Sequence, residues 1–578
     1  MQTFVRQRVV MALTGFVAGL CLYILTEVLT RDIVGDRAGL ALATLTGAFF
    51  AALLAMIGPL AVRRAAMGAA GVAVVTAVLL VWASFRFDEV AGFLNDPVPL
   101  LAAAVLCFVP LPFFVAASGP GWRDYPELFL QSWTLVVRYA AAWLFVGVVW
   151  GVIWLSDALL SLVGLDLIAL VIDADPMPWM ITGTVLGLAL AVVNEMADIV
   201  SPYLVLRLLR LLLPVVLVVM VVFLVALPVQ GLSGLFGGIS AAFTLLVMCG
   251  AAATLVTTAI DQSDAEATQA VPMQRAAQGL ALVLPFPAGL AAFAIWLRVE
   301  QHGWTPDRLF AATVSILALG YGISYAVAVL RGRGWMARVR QANVTMALAL
   351  IAAAVVWLTP VLDAQSIAAR SQIARFEAGV MGLDDLDLAA LDQWGRAGTA
   401  ARARLDAIAA SPGQEALAKR LAAVPAGSTG PIMSDDAEAL LADLRAVLPL
   451  QPLGATATRD VLLSAIPAEE MRNWLAACRG SLPDGRPGCV MVVADLWTDM
   501  PGEEAIMLLR EEAGFVRYEG LGMIDGVVQR RSVWSLSGAL PDLADGAALI
   551  GALQTAPPTL SPAPLNRLGI GGGLVLMP

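Results

Sequence analysis

The first 363 residues form a ladder of apolar stretches, each long enough to cross a bilayer, and the last 215 do not. A hydrocarbon core about 30 Å thick takes roughly 20 apolar residues in helical form, because only a helix satisfies its own backbone polar groups away from water. Eleven stretches meet that length: 9–29, 38–62, 65–84, 98–117, 139–165, 178–197, 208–229, 239–260, 276–297, 309–330 and 344–362. Apolar residues make up 60% of the chain and charged residues 14%. Soluble domains hold roughly 45–50% and about 25%. The sequence therefore predicts a polytopic α-helical membrane protein with about 11 transmembrane helices and a C-terminal soluble α+β domain, its first partner being the lipid bilayer.

Orientation follows from arginine, because short cytoplasmic loops are enriched in Lys and Arg. With the amino terminus inside, the inner segments hold thirteen: Arg6, Arg8, Arg63, Arg64, Arg123, Arg138, Arg207, Arg210, Arg275, Arg331, Arg333, Arg338 and Arg340. The outer segments hold five: Arg31, Arg37, Arg86, Arg298 and Arg308. The asymmetry, capped by "RGRGWMARVR" before the last span, predicts a cytoplasmic amino terminus. Eleven is odd, so the carboxyl-terminal domain is expected on the opposite side. The first span opens with Arg6 and Arg8 as a signal peptide would. Its apolar run is long, however, and no small-x-small site follows, so it reads as a retained anchor.

After Asp363 the composition turns mixed. The chain up to that residue carries 18 Lys and Arg against 20 Asp and Glu, and the remainder 17 against 25, so the net charges are −2 and −8. Such acidity argues against a nucleic-acid partner. The expected domains are 1–363 and 364–578, the latter helical over 364–480 and mainly β with a hairpin over 487–578. Helical spacing runs through "SIAARSQIARFEAG", "DLDLAALDQWGRAG", "TAARARLDAIAAS" and "GQEALAKRLAAV". A Pro/Gly/Ser linker at 425–431 precedes a helix starting near Ser434 and another over 467–478. "CVMVVADLW" reads as a buried strand, and Asp525-Gly526 between β-rich runs as a hairpin turn.

Cys21, Cys107 and Cys249 fall within spans and read as small packing residues. Cys478 and Cys489 flank the Gly- and Pro-rich loop "RGSLPDGRPG" in what the topology makes an oxidising compartment, and they are expected to form a disulfide. His302, the chain's one histidine, lies in a different outer loop, so no metal site is expected.

Ionisable residues at membrane depth are functional candidates by default. Glu27 and Asp157 lie near outer ends of spans and read as interface residues. "NEMADIVSPYLVLRLLRLLLP" is richer: Asn194, Glu195 and Asp198 end the sixth span, and Arg207 and Arg210 begin the seventh. Two carboxylates and two guanidiniums on adjacent helices are expected to neutralise one another as an ion-pair clamp, with a proton or anion site as the alternative. A Pro-x-Pro recurs five spans apart, Pro110 and Pro112 in the fourth span and Pro285 and Pro287 in the ninth. That spacing suits an inverted repeat whose broken helices flank a transport site. Small residues from Gly231, in "GLSGLFGGISAAF", suit close helix packing. "GIGGGLV" near the end lacks the strand and helix a dinucleotide site needs. Phosphate loops, metalloprotease helices and nucleophile elbows are missing, so neither a cofactor nor a catalytic residue is expected.

The run "NEMADIVSPYLVLRLLRLLLPVVLVVMVVFLVALPVQGLSGLFGGISAAFTLL", then "GWTPDRLFA" and "GWMARVRQANVTMALALIAAAVVWLTPVLD", resembles the bacterial multi-pass membrane family catalogued as domain of unknown function 4153. The likeness covers most of the membrane region and continues through "SIAARSQIARFEAG". It implies a bacterial inner-membrane location and brings no activity, ligand or site residue; with the orientation argued from arginine, the tail is then expected to be periplasmic. The expected function is a non-catalytic, membrane-anchored scaffold or sensor whose periplasmic domain binds other envelope proteins. The alternatives are a secondary transporter using spans four and nine, and a carboxylate-dependent membrane enzyme.

Overall fold

The computed structural model describes residues 2–31, 33–163, 165, 167–172, 174–195, 202–230, 239–383, 386–423, 435–464, 466, 468–482, 484–496, 502–510, 516–524, 527–533, 543–556, 560, 567–568 and 574–575. Among these, eleven helices are long and apolar enough to cross a membrane: Val5–Thr30, Asp36–Met56, Val62–Ser84, Pro97–Ala117, Tyr125–Ser161, Met177–Glu195, Val205–Ala226, Ala242–Ile260, Val271–His302, Pro306–Leu330 and Trp335–Leu358. They are called spans one to eleven. The chain divides into two compact units, residues 1–386 with 390–419 and residues 387–389 with 420–578.

Spans five and eleven begin earlier than their arginines suggest. Arg138 was expected in a loop, yet it sits within the 37-residue helix Tyr125–Ser161 and is buried. Arg338 and Arg340 lie in the opening turns of span eleven, where they reach carbonyls at the ends of other helices. Arg338 Nη2 donates to Ala328 and Gly332 at 3.0 and 2.9 Å. A cation satisfying helix-end carbonyls is a reason for arginine on a helix rather than beside it.

Spans one and six cross antiparallel through two Gly-x-x-x-Gly pairs. A Cβ built on Gly15 would stand 1.9 Å from the Gly183 carbonyl oxygen, and one on Gly187 would stand 2.1 Å from that of Met11. Only glycine lets the backbones come so close. The interior of the unit is built of small and aliphatic side chains such as Ala52, Met56, Ala65, Leu111, Ala142 and Leu190. Large apolar side chains point outward instead; Leu144 and Leu330 are 72% and 75% exposed.

The expected boundary at 363/364 does not coincide with the division into units, because residues 364–383 and 390–419 cluster with the spans. Helix Ala364–Glu377 is tied down by polar contacts to the loops. Gln365 Nε2 donates to Asp96 Oδ2 at 2.9 Å, Gln372 Nε2 to the carbonyls of His302 and Trp304 at 3.0 and 2.9 Å, and Arg375 Nη2 to Gln301 O at 2.7 Å. Helix Gly395–Ala409 follows, with the amide of Arg396 on the Arg86 carbonyl at 2.9 Å. Composition changes at 364; packing changes near 420.

In the second unit β1 (Leu450–Gln451) lies parallel to β2 (Cys489–Ala494), and β3 (Glu504–Arg510), β4 (Val516–Ile524) and β5 (Val527–Ser532) continue antiparallel in the order β1-β2-β3-β4-β5. β2 is apolar throughout because both its faces are covered. Cys489, Met491 and Val493 face Trp474 and Leu475 of helix Ala468–Arg479, while Val490 and Val492 pack with Ile550 of helix Leu543–Thr555. Alternation along a strand allows this division. The pairing of Ile524 with Val527 makes β4 and β5 a hairpin; its expected turn, Asp525-Gly526, lies outside the described residues. The expected linker 425–431 and residues 231–238 also lie outside them. Cys478 and Cys489 are joined as a disulfide between the end of helix Ala468–Arg479 and the start of β2.

Candidate functional site

Among the described residues, Glu195 and Arg210 of the expected clamp each pair with a residue outside it. Glu195 pairs with Arg8 of span one, whose Nε donates to both carboxylate oxygens at 2.9 Å. The glycine crossing of spans one and six brings them together, a long-range contact that local spacing does not encode. Asn194 lies beside Gly58, whose φ of +119° favours glycine; a Cβ there would stand 2.5 Å from Asn194 Nδ2, the movable end of that side chain. Arg207 is exposed, and Asp198 lies outside the described residues. Glu27 forms an i,i+4 pair with Arg31 at 2.6 Å. Asp157 Oδ1 is buried without a hydrogen-bond partner among the described residues.

Arg210 turns instead to the end of span eight. Its Nη2 donates to Asp261 Oδ2 and its Nε to the Thr258 carbonyl at 2.7 Å. Arg340 serves the same helix end, with Nη2 on Ile260 O at 2.5 Å, Nε on Asp261 O at 3.1 Å and Nη1 on Asp264 Oδ1 at 2.7 Å. Asp261 is left-handed, with φ +49°, and is buried, so it ends the helix where glycine is the usual choice. Burial raises its carboxyl above the usual range, while the Gln262 amide and Arg210 pull it back.

The prolines interrupt hydrogen bonding without unwinding the chain. Val109, before Pro110, and Leu284, before Pro285, keep right-handed helical dihedrals, and their amides reach Val105 and Leu280 at 3.0 Å. Each proline thus begins a new helical segment at its first position, where a missing N–H costs least. Pro112 and Pro287 are buried. Pro285 packs against Gly322 of span ten, where an added Cβ would approach its Cα to 3.0 Å.

One turn before Asp261, and three residues after Arg340, a cavity of about 520 Å³ opens among spans five, eight, ten and eleven, with Phe113 of span four contributing. Among the described residues, span nine takes no part in its wall. At one end Tyr125, Thr257, Tyr325 and Asn343 form a closed set of contacts. Tyr325 O–H donates to Asn343 Oδ1, Asn343 Nδ2 donates to Tyr125 at 3.0 Å and to Thr257 at 3.3 Å, and the hydroxyls of Thr257 and Tyr325 lie 2.9 Å apart. The remaining wall is mostly aliphatic and aromatic, including Phe129 and Trp133, with the hydroxyls of Ser132, Thr254 and Tyr321 at its surface, and among the described residues it carries no carboxylate or cation. Ser132, Gly250 and Thr254 are exposed and mark a side opening between spans five and eight. Cys249 lines the same space; it, Cys21 and Cys107 are free thiols.

A second cavity, of about 530 Å³, lies among spans one, two, five and six, with Phe108 of span four contributing. Its tyrosine is spent: Tyr139 O–H donates to the Ala51 carbonyl at 2.6 Å. Charges and prolines in the sequence do not mark the neutral set. Thr257, Tyr325 and Asn343 are polar residues within or beside apolar stretches of the sequence, and Tyr125 lies fourteen residues before one, but their convergence is tertiary. Groups of three or more metal-ligating side chains are absent among the described residues. Compared with family models, curated proteins and solved structures, the chain matches none.

Proposed function

We propose that this chain is a multi-pass protein of the bacterial inner membrane, its amino terminus cytoplasmic and its second unit periplasmic, acting as a non-catalytic scaffold or sensor that binds an envelope partner through that unit. The observation that carries the reading is the contrast between an eleven-span unit and a separately cored, disulfide-closed unit after residue 419. Disulfides persist in oxidising compartments. The arginine asymmetry independently favours the same side for that unit. Membership of the family catalogued as domain of unknown function 4153 is part of the proposal and fits this location.

Both disulfide cysteines are buried, so topology is best read at Leu453, which is 80% exposed. In full-length Leu453→Cys with Cys21, Cys107 and Cys249 changed to Ala, a membrane-impermeant maleimide should label intact cells. Labelling only after lysis would place the unit in the cytoplasm and end the proposal. Removing 420–578 should abolish a phenotype that depends on the protein, whereas Glu195→Gln should leave it intact; the reverse result would favour transport through the spans.

A further inference from the structure

Hydrogens and contacts in the neutral set do not balance. Asn343 brings two polar hydrogens and each of the three hydroxyls brings one, five in all, yet the four side chains make only four contacts with one another. One hydrogen is therefore left over however the Asn343 amide is turned. No further partner of these four groups occurs among the described residues, and all four face the cavity. A spare donor away from water costs free energy until an acceptor meets it. The rest of the wall selects that acceptor's bearer. With no charge among the described lining residues, a charged head would be stranded. The aromatic and aliphatic surface suits a hydrocarbon chain, and the volume is that of a small-molecule site. The opening at Ser132, Gly250 and Thr254 lies along the sides of spans, so where the spans cross a bilayer it faces lipid.

We infer that this cavity is the binding site of a neutral, single-tailed amphiphile, which presents an uncharged carbonyl or similar oxygen to the Tyr125–Thr257–Tyr325–Asn343 set and lays its chain along the aromatic wall. The inference requires only that the spans cross a membrane and is independent of the side on which the second unit lies.

The test uses the full-length protein in phosphatidylcholine nanodiscs and two photoreactive probes of equal chain length. One is a monoacylglycerol with a diazirine in its acyl chain; the other is a diazirine alkane lacking oxygen. The monoacylglycerol should cross-link saturably to cavity residues such as Phe129, Trp133 and Leu246, be displaced by unlabelled monoolein, and exceed the alkane there by about tenfold, the yield of one well-made hydrogen bond. Equal labelling by the two probes, or cross-links confined to outward residues such as Leu144 and Leu155, would overturn the inference. Asn343→Asp supplies a second arm, because neither protonation state of the carboxyl leaves a hydrogen to spare. It should reduce monoacylglycerol labelling about tenfold while alkane labelling stays unchanged; undiminished labelling would again overturn the assignment. Stronger displacement by a short-tailed benzoquinone than by monoolein would assign the acceptor to a quinone carbonyl, and the opposite order to an ester.

Discussion

The interiors of the two units are built on different principles. In the first, backbone meets backbone: Gly15 and Gly183 leave no room for a Cβ, and the large side chains turn outward. In the second, Trp474, Met491, Met507 and Leu509 fill the centre and are fully buried. Where helices are surrounded by lipid, burying leucine gains little, since lipid is equally apolar, and close packing with a few hydrogen bonds holds such helices together. Against water, each large apolar side chain buried contributes roughly 1.5–3 kcal/mol. The same chain thus uses small residues as structure in one unit and large ones in the other.

The harshest way to break this comparison is Gly15→Leu. With the Gly183 carbonyl 1.9 Å from the new Cβ, span one must leave span six, and the Arg8–Glu195 pair goes with it. The variant should lose its folded first unit, at a cost above about 4 kcal/mol, seen as aggregation in size-exclusion chromatography. A well-folded variant would show that the glycine crossing does not hold these spans together. Trp474→Ala should cost about 3–5 kcal/mol in the second unit, with hydrogen exchange in the spans unchanged. Exchange rising in both units would remove the distinction between them.

Asp261→Asn should cost about 1–3 kcal/mol in the first unit, less than a fully buried pair, because Arg210 keeps the Thr258 carbonyl and some access to solvent. Thermal unfolding of the purified chain would measure it.

The smallest effects are those of pH, and the two units should respond with opposite sign. Burial raises the Asp96 carboxyl, the Val98 amide and Gln365 only partly offsetting this. Between the ordinary carboxylate value and its raised one, the folded state binds more protons than the unfolded state, so this residue's contribution falls as pH rises through that window. Asp484 is held low by Arg486, first through their side-chain hydrogen bonds. Its contribution is present above the ordinary carboxylate value and is lost as pH falls through the lowered one. Unit-resolved hydrogen exchange between pH 3 and 7 should show the two slopes, with Asp96→Asn and Asp484→Asn each flattening its own. Slopes of the same sign would refute the assignment.

Particular residues show where sequence reading worked and where it stopped. The ends of spans three, four and ten were legible because proline, glycine and charge punctuate them. Span five was misplaced by fourteen residues at its start, Tyr139 against Tyr125, because Arg138 looked like a loop residue. An arginine can enter a helix bundle when neighbours bury it, and a linear pattern does not list neighbours. The boundary near 420 was missed for a similar reason. Helices 364–377 and 395–409 have the composition of a soluble domain, but their glutamines and arginines satisfy loop carbonyls of the first unit.

What the sequence determined by itself was local: the number and approximate extent of the apolar helices, the short unbroken apolar run that makes β2 a buried strand, and the paired cysteines. These follow from chain length against bilayer thickness and from periodicity, quantities carried by neighbouring residues. Only the tertiary structure decided that Glu195 meets Arg8 rather than Arg207, that Arg210 and Arg340 close the end of span eight, and that four neutral side chains from four spans share five hydrogens among four contacts. These contacts join residues 18 to 218 positions apart, and they depend on how helices cross, which the small residues permit but do not spell out.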